Sequence, residues 1–168
     1  MKKKNTNTII LDAAQIKQKT KRIAYQILED HLNEEELVLV GIQKSGYAFA
    51  QALKSELNTI SNLKVNLGSL RINKKNPIET VESSLLLSDM KHKSVVIVDD
   101  VLNSGATLIY AVKFFLDVPL KQLKTAVLVD RNHKKFPVKA DYKGVSLSTS
   151  LNEMVQVKFG TDANVQLY

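Results

Sequence analysis

The sequence predicts an α/β fold with a doubly wound, mostly parallel central sheet and flanking helices, in a single domain over residues 1–168. Three observations predict it. Short apolar runs recur along the chain, as in strands that are buried on both faces. Segments with helical spacing of apolar residues lie between them, an alternation that is typical of parallel sheets. The length of 168 residues allows one compact core, whereas two full domains would be crowded into it.

The elements follow in order from the N-terminus. A helix is predicted over residues 11–32, with Asp12 as its N-cap. Residues 73–84 are polar, contain Pro77 and are predicted as a mobile excursion. Residues 139–159 are predicted as irregular chain with a final strand. The other predicted elements are a buried strand at 37–42, a helix at 46–57, an alternating strand at 65–72, a buried strand at 94–98, a helix at 106–116 and a buried strand at 126–129.

Composition and charge exclude several classes of protein. The chain has no cysteine, which excludes disulfides and thiolate chemistry. Lys2 to Lys4 are followed by polar residues instead of an apolar signal core, and no apolar run approaches the roughly 20 residues that cross a bilayer. We therefore expect a cytoplasmic protein without membrane contact. The net charge of +7 favours polyanionic partners, although a Lys-rich soluble surface gives the same surplus.

The segment from Val95 to Thr107 carries the clearest chemical signal. An apolar strand ends at Asp99 and Asp100, whose carboxylates can accept hydrogen bonds from sugar hydroxyls and help to organise a cation. The chain then turns into a helix, so backbone N–H groups and the positive helix end are available to a phosphate. Gly105 lets the backbone approach such a ligand closely.

Two further loops are expected beside this one, because functional groups in doubly wound sheets collect at the carboxyl ends of the strands. One follows the strand 37–42 and reads Gln-Lys-Ser-Gly. The other follows the strand 126–129 and begins with Asp-Arg.

The acid pair and its loop resemble the phosphoribosyl-pyrophosphate signature of the type I phosphoribosyltransferases. The resemblance implies the type I fold with a small irregular hood, and binding of 5-phosphoribosyl-1-pyrophosphate (PRPP) with Mg²⁺. It also implies that Asp99 and Asp100 hold the two ribose hydroxyls, act in catalysis and contact Mg²⁺, partly through water. The 5′-phosphate is then expected on the loop residues Asn103, Ser104, Gly105, Ala106 and Thr107.

The loop after the first buried strand resembles the pyrophosphate loop of the hypoxanthine–guanine branch of that family, which reads Lys-Gly-Gly-Tyr. This implies that Gln43, Lys44, Ser45 and Gly46 contact pyrophosphate. It also implies a cis peptide bond between Gln43 and Lys44.

The segment 128–144 resembles the bacterial pyrimidine-operon attenuation regulators, which also have uracil phosphoribosyltransferase activity. Their pattern is Val-Asp-Arg-Gly-His, followed by Pro and Ala-Asp-Tyr-x-Gly. The resemblance implies that Val129, Asp130 and Arg131 bind the base. Asp141 matches an acid that approaches the Mg²⁺–pyrophosphate group in the purine branch, and a structural acid in a turn is an equally good interpretation.

The sequence departs from these patterns at three places. The regulators carry Thr-Gly-Arg-Thr in the phosphate loop, where Ala106 stands for the Arg. Their flexible loop reads Tyr-Arg-Asp-Asp, where this chain keeps only Arg71, which is predicted to act in catalysis from a lid over residues 71–84. Asn103 stands where the purine branch has an Asp near the purine N7. An amide cannot act as a base, which disfavours a 6-oxopurine substrate.

Two functions are consistent with these observations. The first is transfer of the 5-phosphoribosyl group from PRPP to a nucleobase, such as the pyrimidine uracil, with release of pyrophosphate. The second is a regulator that senses PRPP or nucleotides and binds RNA through its basic surface, with weak or no catalysis. The resemblance also implies a homodimer or a higher homo-oligomer. The sequence leaves open which nucleobase is used.

Overall fold

A computed structural model describes residues 7–168. The elements, in chain order, are β1 (Thr8–Leu11), α1 (Ala13–Asp30), β2 (Glu36–Ile42), α2 (Ser45–Ile60), β3 (Lys64–Arg71), β4 (Glu82–Ser83), a 3₁₀ helix (Leu87–Met90), β5 (Ser94–Leu102), α3 (Ala106–Phe115), β6 (Gln122–Asp130), β7 (Tyr142–Ser146), β8 (Val155–Lys158) and β9 (Asn164–Leu167). Within this part of the chain, none of the helices has the length and apolar character that crossing a bilayer requires.

The central sheet confirms the predicted α/β class. Its six strands run in the order β4-β3-β2-β5-β6-β7, and β3, β2, β5, β6 and β7 are parallel while β4 is antiparallel to β3. Helices α1 and α2 cover one face of the sheet, with Ile23 and Phe49 fully buried there. Helix α3 covers the other face with Leu108 and Phe115. The middle strands are therefore apolar on both faces, which explains their unbroken apolar runs.

Asp12 is the N-cap of helix α1, as predicted. The side chain of Asp12 accepts a hydrogen bond from the N–H of Gln15 at 2.8 Å, and the Gln15 side chain accepts one from the N–H of Asp12 at 2.9 Å. This reciprocal capping box satisfies two N–H groups that the helix leaves without partners. At the other end of α1, the hydroxyl of Tyr142 donates to Oδ2 of Asp30 at 2.5 Å and ties the helix to β7.

The hood is a second sheet, with three strands in the order β1-β9-β8, all antiparallel. It packs on the α1–α2 side of the core, where the rings of Phe49 and Phe159 stack with their centroids 5.8 Å apart. Strands β1 and β9 were not predicted, because the two paired strands lie more than 150 residues apart in sequence and strands of four residues carry little local pattern. Prediction of a helix from residue 11 was wrong by two residues, since Leu11 ends β1.

Three other boundaries differ from the prediction. Strand β5 continues through the acid pair to Leu102 instead of ending before it. Residues 139–159 contain the predicted final strand, which is β8, and also β7, a short edge strand in which Tyr142 and Gly144 are buried and Lys143 between them is exposed. Residues 73–84 end in β4, so the excursion is anchored to the sheet through a two-residue pairing with β3.

Candidate active site

Asp99 and Asp100 lie near the carboxyl end of β5, with different exposure. Asp99 is 4% exposed, and its Oδ1 accepts a hydrogen bond from the N–H of Asp100 at 2.9 Å. Asp100 is half-buried. The first turn of α2 lies against the pair, since a Cβ built on Gly46 would stand 3.0 Å from Oδ1 of Asp99. The acid pair and the start of α2 thus face one another across a space that only glycine permits.

Burial raises the pKa of the Asp99 carboxyl well above its ordinary value, because the charged form loses water. The negative charge of Asp100 raises the pKa of Asp99 further, and the positive charge of Lys74 partly opposes both effects. The surroundings of Asp99 therefore disfavour its charged form. A bound ligand that supplies a cation or hydrogen-bond donors would shift this carboxyl toward its ionised form.

The phosphate loop has the geometry of an anion site. Gly105 adopts φ +85° at the N-cap of α3, a conformation that favours glycine. The carbonyl of Ser104 accepts hydrogen bonds from the N–H groups of Lys135 and Phe136 at 2.8 and 3.1 Å. A Cβ at Gly105 would lie 2.6 Å from Cγ1 of Val138. Residues 135–138 therefore pack against the loop and fix its backbone. The ten-residue helix α3 begins at the end of the loop, so its N-terminal N–H groups lie there.

A cavity of about 190 Å³ lies between Asp99 and this loop. Ligand pockets commonly measure about 300–1,000 Å³, so this cavity has room for only a part of a sugar phosphate that carries a pyrophosphate group. Lys74 lines both this cavity and a neighbouring one formed by residues 71–82. The cavity is lined by Lys74, Asp99, Val101, Leu102, Asn103, Ser104, Gly105, Ala106, Thr107, Leu108 and Val127.

The predicted pyrophosphate loop lies at the carboxyl end of β2, between β3 and β5. The peptide bond between Gln43 and Lys44 is cis, as the resemblance implied. The N–H of Gln43 donates to the carbonyl of Leu70 at 2.9 Å, which holds the loop against β3. Lys44 is exposed and Ser45 begins α2, so an ammonium group and helix N–H groups are presented together.

Arg71 does not reach the acid pair. Its Nη1 lies 3.3 Å from Oε2 of Glu82, and both side chains are largely exposed. Arg71 and Gln43 line a separate cavity, and Asp99 is not among its lining residues. The predicted lid therefore brings Lys74, and not Arg71, into the space beside Asp99.

The side chains of the three predicted base-binding residues have internal roles. Val129 is fully buried, and the carboxylate of Asp130, 1% exposed, lies 3.4 Å from Nζ of Lys134 and 3.6 Å from Nζ of Lys143. The guanidinium of Arg131 is hydrogen-bonded at all three nitrogens. Each of the three side chains is either buried or engaged with other residues of the protein.

Asp141, predicted as a metal ligand, does not line the cavity beside Asp99, and its carboxylate makes internal contacts. Its Oδ2 accepts hydrogen bonds from the N–H and the hydroxyl of Thr125 at 3.0 and 3.3 Å, and Nζ of Lys139 lies 3.6 Å from its Oδ1. Thr125 pairs with Ile97, two positions before Asp99 on the neighbouring strand. Asp141 thus closes the turn into β7, which is the structural interpretation that the sequence left open.

The two carboxylates of the acid pair are suited to a cation whose remaining ligands come from a bound phosphate compound and water. Within residues 7–168, no three His, Cys, Asp or Glu side chains come together as a metal-binding group. Mg²⁺ is commonly held by one or two carboxylates, with phosphate oxygens and water completing its coordination. Asp99 and Asp100 provide that number of carboxylates on β5, just before the loop that leads into α3.

Segment 149–153 contacts the site and was not predicted to do so. Thr149 Oγ1 and the carbonyl of Glu153 accept hydrogen bonds from Arg131. The residues around Thr149 have no periodicity or motif, so no signal in the sequence would have assigned them to the site.

The family model of the phosphoribosyl transferase domain matches residues 6–163. This match covers nearly the whole chain, and the chain therefore belongs to the phosphoribosyltransferase family.

Within that family, several relatives are named bifunctional protein PyrR. The chain is 35% identical to the one from Clostridium botulinum over 158 residues, which cover 88% of this chain and 87% of the relative. It is 34% identical to the one from Haemophilus ducreyi over 161 residues, with 89% and 88% covered.

Solved structures confirm the fold. The hypoxanthine phosphoribosyltransferase of Trypanosoma cruzi superposes with a TM-score of 0.76 at 22% identity, covering 88% of this chain and 84% of that one. A hypoxanthine-guanine phosphoribosyltransferase from Bacillus anthracis gives a TM-score of 0.71 at 24% identity, with 83% and 81% covered. At these identities the superpositions establish the architecture and leave the substrate to the chemistry of the site.

Proposed function

We propose that this phosphoribosyltransferase uses PRPP as its donor and a pyrimidine base such as uracil as its acceptor, and releases pyrophosphate. The observation that carries this proposal is the position of the buried Asp99 and half-buried Asp100 between two helix N-termini. Carboxylates can accept hydrogen bonds from the ribose hydroxyls. Helix N-termini can bind the 5′-phosphate and the pyrophosphate, which flank the ribose in PRPP.

Each part of the donor has a matching part of the site. The 5′-phosphate meets the N–H groups at the start of α3 and the hydroxyls of Ser104 and Thr107, which line the cavity. The pyrophosphate meets the exposed ammonium of Lys44 and the first N–H groups of α2. Charge-assisted hydrogen bonds of this kind are about twice as strong as neutral ones.

Mg²⁺ fits this arrangement as part of the bound donor. Asp99 and Asp100 would hold it, partly through water, with pyrophosphate oxygens as the remaining ligands. When bound, the ion supplies positive charge that stabilises the leaving pyrophosphate.

The chain's own contribution to the reaction is orientation and charge. The bond between ribose C1′ and the pyrophosphate oxygen breaks, and its electron pair leaves with pyrophosphate. A ring nitrogen of the base forms the new bond to C1′, and the proton of that nitrogen passes to the leaving pyrophosphate. The negative charges of Asp99 and Asp100 favour the positive charge that develops on the ribose. Lys74, from the segment over the cavity, would help to exclude water from the reacting atoms.

The test is pyrophosphate release from PRPP and Mg²⁺ with uracil, cytosine, orotate, hypoxanthine, guanine, xanthine or adenine. We expect release with uracil that is lost when both acids are replaced, as in D99N/D100N. Release with a purine alone would overturn the assignment of a pyrimidine acceptor. Absence of release with every base would overturn the proposed reaction.

A second candidate function is an RNA-binding regulator that responds to PRPP or nucleotides. The net charge of +7 favours it, and so does the exposure of Lys17 and Lys21 one turn apart on the outer face of α1. We expect salt-dependent binding of the leader RNA of a pyrimidine operon, with the slope reduced when both lysines are replaced by Gln. Binding that disappears at physiological salt would contradict this function. A homodimer or higher homo-oligomer is part of both proposals, and light scattering would test it.

A further inference from the structure

Arg131 and Asn103 form a pair that the proposed reaction leaves unused. Nη1 of Arg131 donates to Oδ1 of Asn103 at 3.0 Å. Arg131 follows β6 and Asn103 follows β5, so this hydrogen bond joins the loops after two neighbouring strands. Asn103 is exposed and lines the same cavity as Asp99. A ligand in that cavity meets Asn103 in the orientation that Arg131 gives it.

The far side of the guanidinium is also held. Nε and Nη2 of Arg131 donate to Oγ1 of Thr149 at 3.1 and 2.8 Å, and Nη2 donates to the carbonyl of Glu153 at 2.6 Å. Thr149 is held in turn, because its carbonyl lies 2.6 Å from Nε2 of His133. The planar guanidinium is thus fixed by contacts on two sides. Because its far side is held, it loses little conformational freedom when it binds Asn103.

The chemistry of the pair fixes which way the Asn103 amide points. A guanidinium has only hydrogen-bond donors, so the atom of Asn103 that faces Arg131 must be the carbonyl oxygen. The other end of the amide, Nδ2 with its two N–H groups, is then what Asn103 offers to a ligand in the cavity. An Asp at this position would keep the contact with Arg131 but would offer only an acceptor.

We propose that Arg131 is a positioning residue that fixes Asn103 as a hydrogen-bond donor to the base, so that the site selects a base with an acceptor facing Asn103. The acceptor that we assign is the oxygen at C4 of uracil, the atom by which uracil differs from cytosine, which carries an amino group there. The inference rests on the proposed function and deepens it, because it names the pair of residues that sets the choice of base.

The test compares binding of UMP and CMP to the full chain by titration calorimetry, which needs no turnover. We expect the wild type to bind UMP about tenfold more tightly than CMP. The O4 oxygen of UMP accepts a hydrogen bond from Asn103, whereas the amino group of CMP would place one donor against another. In Asn103→Asp the ratio of the two affinities falls about tenfold. Using the ratio cancels the repulsion that the new carboxylate exerts on both nucleotide phosphates.

Arg131→Met tests the positioning role. Without the guanidinium the Asn103 amide can turn, so the UMP/CMP ratio falls toward one while Asn103 itself is unchanged. In the double variant R131M/N103D the ratio falls no further than in Asn103→Asp, because both changes remove the same donor. A ratio that falls additively would overturn the role of Arg131 as a positioning residue.

Thr149→Val is the matched control for a merely structural effect. It removes one of the acceptors on the far side of Arg131, whereas the carbonyl of Glu153 still holds Nη2 and the bond between Arg131 and Asn103 stays in place. We expect its UMP/CMP ratio to stay within about twofold of the wild type, even if its melting temperature falls. A drop equal to that of Arg131→Met would show that loosening of segment 149–153 is the whole effect.

Failure of the inference is distinguishable from failure of the proposed function. An unchanged UMP/CMP ratio in Asn103→Asp overturns the inference, even if pyrophosphate is released with uracil. Conversely, a ratio that falls in Asn103→Asp supports the inference in a protein that shows no turnover, and then only the proposed reaction fails. Binding of neither nucleotide by the wild type overturns the inference directly.

Discussion

Gly46 and Asp99 are in direct backbone contact. A Cβ at Gly46 would lie 2.9 Å from Cα of Asp99 and 2.8 Å from the carbonyl oxygen of Val98. Both of these atoms belong to the backbone of β5, so no side-chain rotation can make room. The contact sets the spacing between the loop after β2 and the acid pair, which is the spacing between pyrophosphate and ribose in the proposed complex.

Gly46→Ala is therefore expected to destabilise the protein and to displace α2 from the acid pair. We expect the free energy of unfolding to fall by about 1–3 kcal/mol, as for overpacked sites in general. The affinity for PRPP should fall as well. Urea denaturation and calorimetry measure the two effects. The control is Gly68→Ala, whose Cβ would meet side-chain atoms of Leu85 and Ser84 and no backbone atom among its three nearest neighbours. Equal losses in both variants would contradict the importance of the Gly46 contact.

Asp99→Asn is expected to stabilise the protein at neutral and alkaline pH. The pKa of Asp99 is raised in the folded state, so the folded protein binds a proton that the unfolded chain has released. Stability is then lost as the pH rises from the ordinary range of a carboxyl toward the raised pKa of Asp99, and Asn removes that loss. The gain in melting temperature over the wild type should grow from pH 4 to pH 8. Asp117→Asn, at an exposed position, is the control and should show no such growth. A gain that is constant with pH would contradict a buried, uncompensated carboxylate at position 99.

Lys74→Ala is expected to weaken PRPP binding more than Lys75→Ala does. Lys74 lines the cavity beside Asp99, whereas its equally exposed neighbour Lys75 lines only the adjoining space. A lost charge-assisted hydrogen bond to the donor would lower the affinity about tenfold, and the loss should shrink at high salt. Calorimetry at two salt concentrations measures both. Similar losses in the two variants would show that the segment acts through its net charge alone.

Tyr142→Phe is expected to lower the free energy of unfolding by about 1–2 kcal/mol, the value of a hydrogen bond to a carboxylate. The hydroxyl of Tyr142 donates to Asp30, and burial together with this bond raises the pKa of Tyr142 far above its ordinary value. Denaturant titration measures the loss, with Tyr25→Phe as the control because Tyr25 is 47% exposed. No difference between the two variants would contradict the docking of α1 on β7.

The sequence was most informative where one residue type satisfies both local structure and chemistry. The run before Asp99, the glycine at 105 and the capping acid at 12 each specify an element and its end. Contacts between segments distant in sequence left no such trace. The position of Asp141 followed from its hydrogen bonds with Thr125, which a motif match cannot reveal. The pairing of β1 with β9 also depends on tertiary packing alone.

The same limit applies to the candidate site. Arg131 follows β6 in the sequence, but its hydrogen bonds to Asn103 and Thr149 depend on how three loops meet. Similarly, the spacing of residues in the segment after β3 does not show that Lys74, and not Arg71, lies beside Asp99. Side chains that act through neighbours on other loops require the structure.

The most direct test of the proposed donor site is titration calorimetry of PRPP with Mg²⁺ against the wild type and the D99N/D100N variant. Because Asp99→Asn is expected to stabilise the fold, loss of binding in the variant cannot be attributed to unfolding. We predict binding by the wild type and no measurable binding by the variant, with the two proteins equally folded by circular dichroism. Unchanged affinity in the variant would contradict the assignment of the acid pair to the phosphoribosyl donor.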